Sequence, residues 1–405
     1  MKKMKKACVY LPHEVIMQIL RRLPVELVVK CTTVCKTWLG IIKDPYFISS
    51  HLEAAVLHND LLLLHIPGGS LREGFHLYRD NDSFERYKTL YLPFLCCGFR
   101  GFRVAGTCNG LICLADVDGG YHIMILWNPS IKKHFILPEP ELPFEIFSDS
   151  TLGFGFDSVS NDYKVLLVVP VSEDADLTEV WLFSLNRRSW TRLSEVSPRH
   201  TCFGLRQAAF VKGALHWPGY MKHERRFTHV IMAFDLSTEK FHVINYPDTL
   251  LDHDFVPQMT LINYDESIAV VTMGSFEDFD DARKPELWVM KEYGMDNSWT
   301  MVLHSDGEEN ELVFDSHFVV DVFGVRKNGE VLLKVRRMYR CDYKLASLGL
   351  NCHQEEHHHQ QQQQLKHLVG MGKINDWFVG RFVESLVLLD NGEEDNKRAA
   401  RMKVQ

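Results

Sequence analysis

Apolar residues at the start of the chain follow a helical rhythm. Between residues 11 and 23 they fall one, three or four positions apart: Leu11, Val15, Ile16, Ile19, Leu20 and Leu23. This spacing predicts an amphipathic helix, with Pro12 in a first turn that tolerates proline. Pro24 ends that helix, and two more short helices are predicted over residues 25–29 and 34–42, the last ending near Asp44. Three helices this short bury too little surface to be stable alone, so they need a partner or a neighbouring domain.

After residue 58 the pattern changes to short β runs, and one hairpin recurs. It consists of an apolar strand, a polar turn and a strand that opens on an aromatic residue, as in "MILWNPSIKKHFILP", "VWLFSLNRRSWTRL" and "IMAFDLSTEKFHVI". The equivalent aromatic residues are Tyr87, Phe135, Trp190, Phe241, Trp299 and Tyr343. They recur about every 51 residues, close to the kelch period. We therefore predict an all-β propeller of about six blades, within a range of about six to eight, behind a small all-α module.

The repeat also predicts how the ring closes and where the domains lie. Two further strands precede each hairpin except the first, which lacks an innermost strand. The unassigned run at residues 382–389 is predicted to complete blade one and close the ring, because closure removes exposed sheet edges. The expected units are a basic tail at 1–8, a helical module at 9–58, a propeller at 59–390 with a low-complexity His/Gln insertion at 347–375, and a second tail at 391–405.

Composition narrows the classes of function. The formal net charge of −8 and the lack of a basic stripe argue against nucleic-acid binding. No apolar run reaches the length of about 18 residues that spans a bilayer, so we expect a protein of the cytoplasm, the nucleus or both, without membrane contact. The ten cysteines include no CxxC pair, so we predict no metal site and no cofactor.

Three features could suggest chemistry, and none is predicted to support it. Gly153 and Gly155 lack the third glycine and the following helix of a dinucleotide site, so they are interpreted as part of an inner strand. Cys108 has no surrounding signature of a catalytic nucleophile. The His/Gln tract at residues 353–364 offers no fixed ligand geometry. We therefore expect no catalytic residue.

The first helices resemble the F-box motif. The match is "LPHEVIMQILRRLPVELVVKCTTVCKTWLGIIKDPYFISSHL", with Leu-Pro, a hydrophobic helix, Leu-Pro-Val, Val-Cys-Lys-x-Trp and Asp-Pro-x-Phe in order. The segments "RVAGTCNGLICL", "LWNPSIKKHFILP", "LGFGFDSVSNDYKVL" and "VESLVLL" are similar to the kelch-like F-box-associated domain of plant proteins of the S-locus F-box type. Glu26 stands where plant members commonly carry lysine, so one polar contact of the family differs.

The resemblance implies a non-catalytic substrate-recognition subunit of an SCF-type E3 ubiquitin ligase, acting in ubiquitin-dependent degradation. Its F-box would bind a Skp-type adaptor and, through it, a cullin. The adaptor-binding residues implied are Leu11, Pro12, Val15, Ile19, Leu20, Leu23, Pro24 and Val25. By contrast, Val34, Cys35 and Trp38 are expected to pack in the core of the module.

One rim of the propeller is predicted to bind the protein substrate. Connections between blades, and between second and third strands, share that rim and are long, at residues 139–151, 172–176, 195–205, 218–226, 245–258, 274–285 and 305–316. The candidate substrate-binding residues there are Phe144, Phe147, Tyr220, Phe227, Phe255, Phe276, Asp278 and Asp280. A basic partner with an apolar anchor would suit this mixture. The helices are expected on the opposite rim, because the chain enters blade one from the side of the tight turns.

Two other functions remain open at this stage. The propeller rim could hold a catalytic or metal constellation, although no His, Cys or Asp recurs at equivalent places in successive blades. The chain could also be a scaffold that binds the adaptor without serving a ligase. Turnover of a labile partner would separate that scaffold from a receptor.

Overall fold

A computed structural model of the chain contains a helical module followed by a ring of antiparallel sheets. It describes residues 11–66, 74–93, 101–116, 123–142, 150–170, 178–194, 200–201, 208–223, 226–251, 258–273, 286–303, 317–337, 342–349, 365–372 and 377–388.

The module has four helices where the sequence predicted three. They are α1 (His13–Arg21), α2 (Val25–Cys31), α3 (Lys36–Lys43) and α4 (Pro45–Leu57). The Asp44 carboxylate accepts a hydrogen bond from the Tyr46 backbone N–H at 2.8 Å and caps α4, and Pro45 takes the first helical position. The Asp-Pro pair that we interpreted as the end of α3 is therefore also the start of α4.

The core of the module is small and tightly buried. Its fully or almost fully buried apolar residues are Leu20, Val25, Val28, Ile41, Ile42 and Phe47, together with Leu386 from the far end of the chain. Burying one such side chain stabilises a fold by about 1.5–3 kcal/mol. The short helices are thus held by residues from all four of them and by one distant leucine.

Within the described residues, the strands form six antiparallel blades. From the inside outward, each blade is ordered as follows. Blade one is β25 (Phe378–Phe382), β1 (Leu61–Ile66), β2 (Gly74–Arg79) and β3 (Arg86–Tyr91); blade two is β4 (Phe102–Cys108), β5 (Leu111–Asp116), β6 (Met124–Asn128) and β7 (Lys133–Ile136); blade three is β8 (Thr151–Asp157), β9 (Asp162–Pro170), β10 (Thr178–Ser184) and β11 (Ser189–Leu193).

The remaining blades follow the same order. Blade four is β13 (Ala209–Val211), β14 (Ala214–His223), β15 (Arg226–Asp235) and β16 (Lys240–Asn245), with β12 (His200–Thr201) also paired to β14; blade five is β17 (Gln258–Tyr264), β18 (Ser267–Met273), β19 (Glu286–Met290) and β20 (Trp299–Leu303); blade six is β21 (His317–Val325), β22 (Val331–Arg337), β23 (Tyr343–Leu348) and β24 (Lys366–Gly372). A short helix, α5 (Asp248–Leu251), follows blade four. The prediction of a six-bladed propeller is confirmed.

The ring closes through the C-terminal strand, as predicted, but with different bounds. β25 pairs with β1, with Leu61 opposite Phe382 and His65 opposite Phe378. The predicted closing strand at residues 382–389 is therefore corrected to Phe378–Phe382. The following run, 383–388, pairs with no strand of the described sheets. It is largely apolar because it is buried between the helical module and blades two and three.

The aromatic position of the repeat is confirmed in five blades and corrected in the sixth. Tyr87, Phe135, Trp190, Phe241 and Trp299 all lie in outermost strands. Tyr343 instead opens β23, the third strand of blade six, and β24 is the fourth. The predicted insertion at 347–375 thus contains a strand. The His/Gln tract, outside the described residues, connects the third and fourth strands of blade six and does not directly precede the closing strand.

Buried ion pairs join neighbouring blades. Lys164 of blade three reaches Asp157 and, across the seam, Glu239 of blade four, each at 3.0 Å. Arg326 of blade six donates to the Asp80 carboxylate of blade one at 2.8 Å, and also contacts Glu330. The Lys164, Asp157, Arg326 and Asp80 side chains are buried, and their opposite charges make that burial tolerable.

The helices sit on the rim formed by the tight turns. This tight-turn rim comprises the turns at residues 80–85, 109–110, 129–132, 158–161, 185–188, 212–213, 236–239, 265–266 and 326–330. Ile131 from one of these turns packs against the core of the helical module, and Ile48 and Leu52 of α4 pack against the core of blades two and three. The expected placement of the module, opposite the connections between blades, therefore agrees with the structure.

Candidate functional site

One face of α1 presents a line of apolar side chains to solvent. Leu11 is 42% exposed, Val15 39% and Ile19 45%, which is unusual for residues this apolar. Val15 and Ile19 lie one turn apart on the same side of α1, and Leu11 precedes the helix beside its N-cap, Pro12. Pro12 starts the helix, because its carbonyl accepts the Val15 and Ile16 backbone N–H groups at 3.1 Å. The sequence therefore builds a helix whose inner face fills the core and whose outer face remains apolar.

Apolar residues are also exposed elsewhere in the module, at Val56 and Leu57 of α4 and at two positions that we did not predict as binding residues. Leu27 on α2 is 44% exposed, and Val34 in the turn after α2 is 60% exposed. Hydroxyl groups shape that turn, since Thr32 donates to the Val29 carbonyl at 2.7 Å and Thr33 to the Lys30 carbonyl at 2.8 Å. The expectation that Val34 packs in the core is corrected. Cys35 is also exposed, whereas Trp38 is half-buried against the core.

The predicted adaptor-binding residues divide into two groups. Leu11, Pro12, Val15, Ile19 and Pro24 are exposed, and Leu23 is half-buried. Leu20 and Val25 are buried in the core of the module. A residue with no exposed surface cannot contact a partner without rearrangement of that core. Leu20 and Val25 therefore support the exposed residues from inside the module, and the adaptor-binding role of the predicted set stays a prediction.

Charged residues surround α2. The Lys30 ammonium lies 2.8 Å from the Glu26 carboxylate, one helical turn away. The hydrogen bond and the charge of Lys30 lower the pKa of Glu26, and Lys88 and Lys132 of the propeller add to this effect. Glu26, the residue that departs from the family pattern, thus has its charge balanced by lysines of this same chain.

A buried histidine supports the elbow between α1 and α2. The His51 Nε2 atom of α4 lies 2.9 Å from the Leu23 carbonyl, and the Arg21 Nε–H donates to the Ser50 carbonyl at 3.1 Å. Burial lowers the pKa of His51, and the nearby Arg21 charge adds to this. A neutral imidazole and a guanidinium therefore fix the helix that carries the exposed apolar face.

The predicted substrate-binding residues lie mostly outside the described residues. This applies to Phe144, Phe147, Phe255, Phe276, Asp278 and Asp280. Tyr220 and Phe227 lie in β14 and β15, opposite His229 and Lys222 respectively. The predicted loop at 218–226 is therefore corrected: the two strands continue to His223 and from Arg226, which leaves a long hairpin.

The groups that could suggest catalysis are explained by packing. Burial raises the pKa of the Cys108 thiol to about 12, so it is not a nucleophile at neutral pH. A Cβ on Gly153 would lie 2.8 Å from a Leu215 methyl group, and on Gly155 2.5 Å from the Phe210 ring, so these glycines permit close packing of blades three and four. Among the described residues, no group of His, Cys, Asp and Glu could hold a metal ion, and no helix could span a membrane.

The fold defines a class of protein in which a short helical module with an exposed apolar surface is carried on a six-bladed propeller. Family models match both parts of this chain. The F-box associated beta propeller domain matches residues 79–350, and the F-box-like model matches residues 8–52. The chain therefore belongs to the F-box proteins with an F-box-associated β-propeller.

Plant proteins of this family are similar over most of the chain. F-box protein CPR1 of Arabidopsis thaliana is 27% identical over 318 residues, which cover 72% of each protein. The F-box/kelch-repeat protein At3g23880 of the same plant is 26% identical over 307 residues, covering 73% of this chain and 80% of the relative. The resemblance identified from the sequence motifs is confirmed.

Proposed function

We propose that this protein is the substrate-recognition subunit of an SCF-type E3 ubiquitin ligase and performs no catalysis itself. The observation that carries the proposal is the exposed apolar surface formed by Leu11, just before α1, and by Val15 and Ile19 of α1, on a module whose core is already filled. Such a face is suited to insertion into a hydrophobic groove of a partner. The partner proposed is a Skp-type adaptor, which would link the chain to a cullin.

The proposed adaptor-binding surface comprises the exposed or half-buried members of the predicted set and the two exposed residues beside them. These are Leu11, Pro12, Val15, Ile19, Leu23, Pro24, Leu27 and Val34. Leu20 and Val25 support this surface from inside the module. Burying several of these side chains at once would supply most of the affinity, because a few well-buried anchors dominate protein interfaces.

Co-purification of the intact chain with the adaptor and a cullin tests the proposal. We expect the variant Leu11→Ala, Ile19→Ala, Leu23→Ala to lose both partners. The matched control is Val56→Ala, Leu57→Ala, which removes exposed apolar groups from α4 of the same module. Absence of binding by the intact chain, or equal loss in the control, would contradict the adaptor role.

We propose that the substrate binds the rim opposite the helices, through the long connections that carry Phe144, Phe147, Phe255, Phe276, Asp278 and Asp280, and through Tyr220 and Phe227 of the blade-four hairpin. The support is that the helical module occupies the tight-turn rim, so this opposite rim is the one left for a substrate. A basic protein with an apolar anchor is the proposed kind of substrate, and the cytoplasm or nucleus the proposed location.

Charge reversal on one rim at a time tests this surface. The variant Asp278→Lys, Asp280→Lys should lose its labile partners in proximity labelling while it still binds the adaptor. The control is Asp82→Lys, Glu266→Lys, which makes the same change in charge at exposed positions of the tight-turn rim. Loss of the same partners in the control, or retention of them in the first variant, would place the substrate elsewhere.

A further inference from the structure

The chain continues past its closing strand as a buried segment. β25 ends at Phe382, but residues 383–388, which we call the C-terminal strap, stay in contact with the molecule. Its buried members are Val383, Ser385, Leu386, Val387 and Leu388. A segment that pairs with no strand and yet is buried along most of its length must be held by side-chain contacts and individual hydrogen bonds.

On one side the strap is fixed to blade two. The Asn128 side-chain amide donates to the Ser385 carbonyl at 3.1 Å and to the Val387 carbonyl at 2.8 Å. Gly110 has a φ of 81°, and a Cβ there would overlap the Ser385 hydroxyl. Val387 and Leu388 pack in the core shared by blades two and three. The propeller thus holds the strap by both polar and apolar contacts.

On the other side the strap completes the core of the helical module. The Leu386 side chain is fully buried in the cluster that includes Leu20 of α1, Val28 of α2 and Ile42 of α3. The neighbouring Glu384 lies 3.5 Å from Lys88 of the propeller. The F-box core is therefore made partly by a residue from the other end of the chain, which is itself bound to blade two.

We propose that the C-terminal strap is the joint that fixes the F-box helices to the propeller, with Leu386 as its positioning residue. Helices of 7 to 13 residues have little stability of their own, so a buried leucine supplied by the propeller is a large part of their support. The module cannot turn on the rim without withdrawing Leu386. Such a joint would keep the substrate rim in a constant orientation relative to the adaptor, and this consequence rests on the proposed function. The joint itself is a property of the chain alone.

Hydrogen–deuterium exchange of the full-length chain without any partner tests the joint. We expect Leu386→Ala to raise the exchange rates of amides in α1, α2, α3 and α4 by about tenfold or more, since a cavity would open in their shared core. Asn128→Asp should have the same effect from the propeller side, because it removes the amide donors while keeping the acceptor for the Ser130 N–H. The matched control is Val387→Ala, in the same strap but facing the propeller core.

The pattern of protection decides the outcome. Faster exchange confined to the helices in Leu386→Ala and Asn128→Asp, with Val387→Ala affecting blades two and three instead, supports the joint. Wild-type rates in the helices of the first two variants would overturn it, as would a uniform increase over the whole chain. Adaptor binding is not part of this measurement, so a failure of the ligase proposal would show separately, in the co-purification of the intact chain.

Discussion

At the scale of single residues, buried histidines contribute to the response of the molecule to acid. The His216 side chain is buried between blades four and five, where Nδ1 donates to the Ala209 carbonyl at 3.2 Å and Nε2 accepts from the Tyr293 hydroxyl at 2.8 Å. Burial lowers the pKa of His216 to about 4. In the F-box, burial lowers the pKa of His51 in the same way. Both imidazoles are therefore neutral in the folded protein at pH 7.

Acid should destabilise the fold through His216. The unfolded chain binds the proton with a pKa near 6.5, whereas the folded chain resists it, so the free energy of unfolding falls as the pH drops below about 6.5 and levels off near 4, by up to about 3 kcal/mol. Urea unfolding of the wild type and of His216→Gln, at pH 7 and pH 4.5, measures this loss. The variant should lose less stability between the two pH values.

The control for this experiment is His242→Gln, at an exposed position of β16. It should keep the acid sensitivity of the wild type. If His216→Gln and the wild type lose the same stability on acidification, His216 does not account for the pH dependence.

At the scale of secondary structure, the outermost strands of blades one to five each carry an aromatic residue at an equivalent position. The Trp190 indole N–H donates to the Pro138 carbonyl of the preceding blade at 2.7 Å, and the Trp299 indole N–H donates to the Asn245 carbonyl at 3.0 Å. Phe135 and Phe241 fill the equivalent positions of blades two and four without such a bond. The position therefore requires an aromatic ring, and the indole adds a polar contact between blades.

Substitutions at this position should separate the contribution of the aromatic ring from that of the indole hydrogen bond. We expect Trp190→Phe and Trp299→Phe to lower the free energy of unfolding by about 1 kcal/mol each, the usual contribution of one hydrogen bond. Trp190→Ala should cost about 3–5 kcal/mol, because it leaves a cavity beside Phe183. Equal losses for the phenylalanine and alanine variants, measured by urea unfolding, would contradict this account.

Some strands and helix faces could be predicted from the sequence, and others could not. The blade hairpins were predictable because alternation and turn residues are local. The ends of the closing strand were not, because residues 383–388 are as apolar as β25 and are buried by contacts with distant parts of the chain. In α1, Ile19 and Leu20 are adjacent and both apolar. Only the packing shows that Ile19 faces solvent and that Leu20 faces the core. The sequence therefore predicts the helix, but not which of its apolar residues are exposed.

At the scale of the whole molecule, the ring is closed twice. β25 pairs with β1, and Arg326 connects blade six to Asp80 of blade one, with exposed side-chain fractions of only 1% and 4%. The Arg326 guanidinium also donates to the Asn81 carbonyl at 2.6 Å. The first and last blades are thus joined by a strand and by a buried ion pair.

Removal of the charge at this seam should be costly. Arg326→Met would leave Asp80 buried without its partner, and we expect the free energy of unfolding to fall by about 3–5 kcal/mol. The control is Lys30→Met, which breaks the exposed, solvent-screened Lys30–Glu26 pair and should cost far less than Arg326→Met. Urea unfolding of both variants compares the two. Similar small losses would show that the seam does not depend on this ion pair.

The proposed role of the whole molecule as a substrate receptor rests on the exposed apolar residues at and before α1. Calorimetric titration of a Skp-type adaptor into the full-length chain, compared with Ile19→Asp and with Leu57→Asp on α4, tests it most directly. We expect Ile19→Asp to weaken binding by about 100-fold or more, since it would place a carboxylate in an apolar groove, and Leu57→Asp to stay within about threefold of the wild type. Absence of binding by the wild type, or equal weakening in the two variants, would contradict the proposed function.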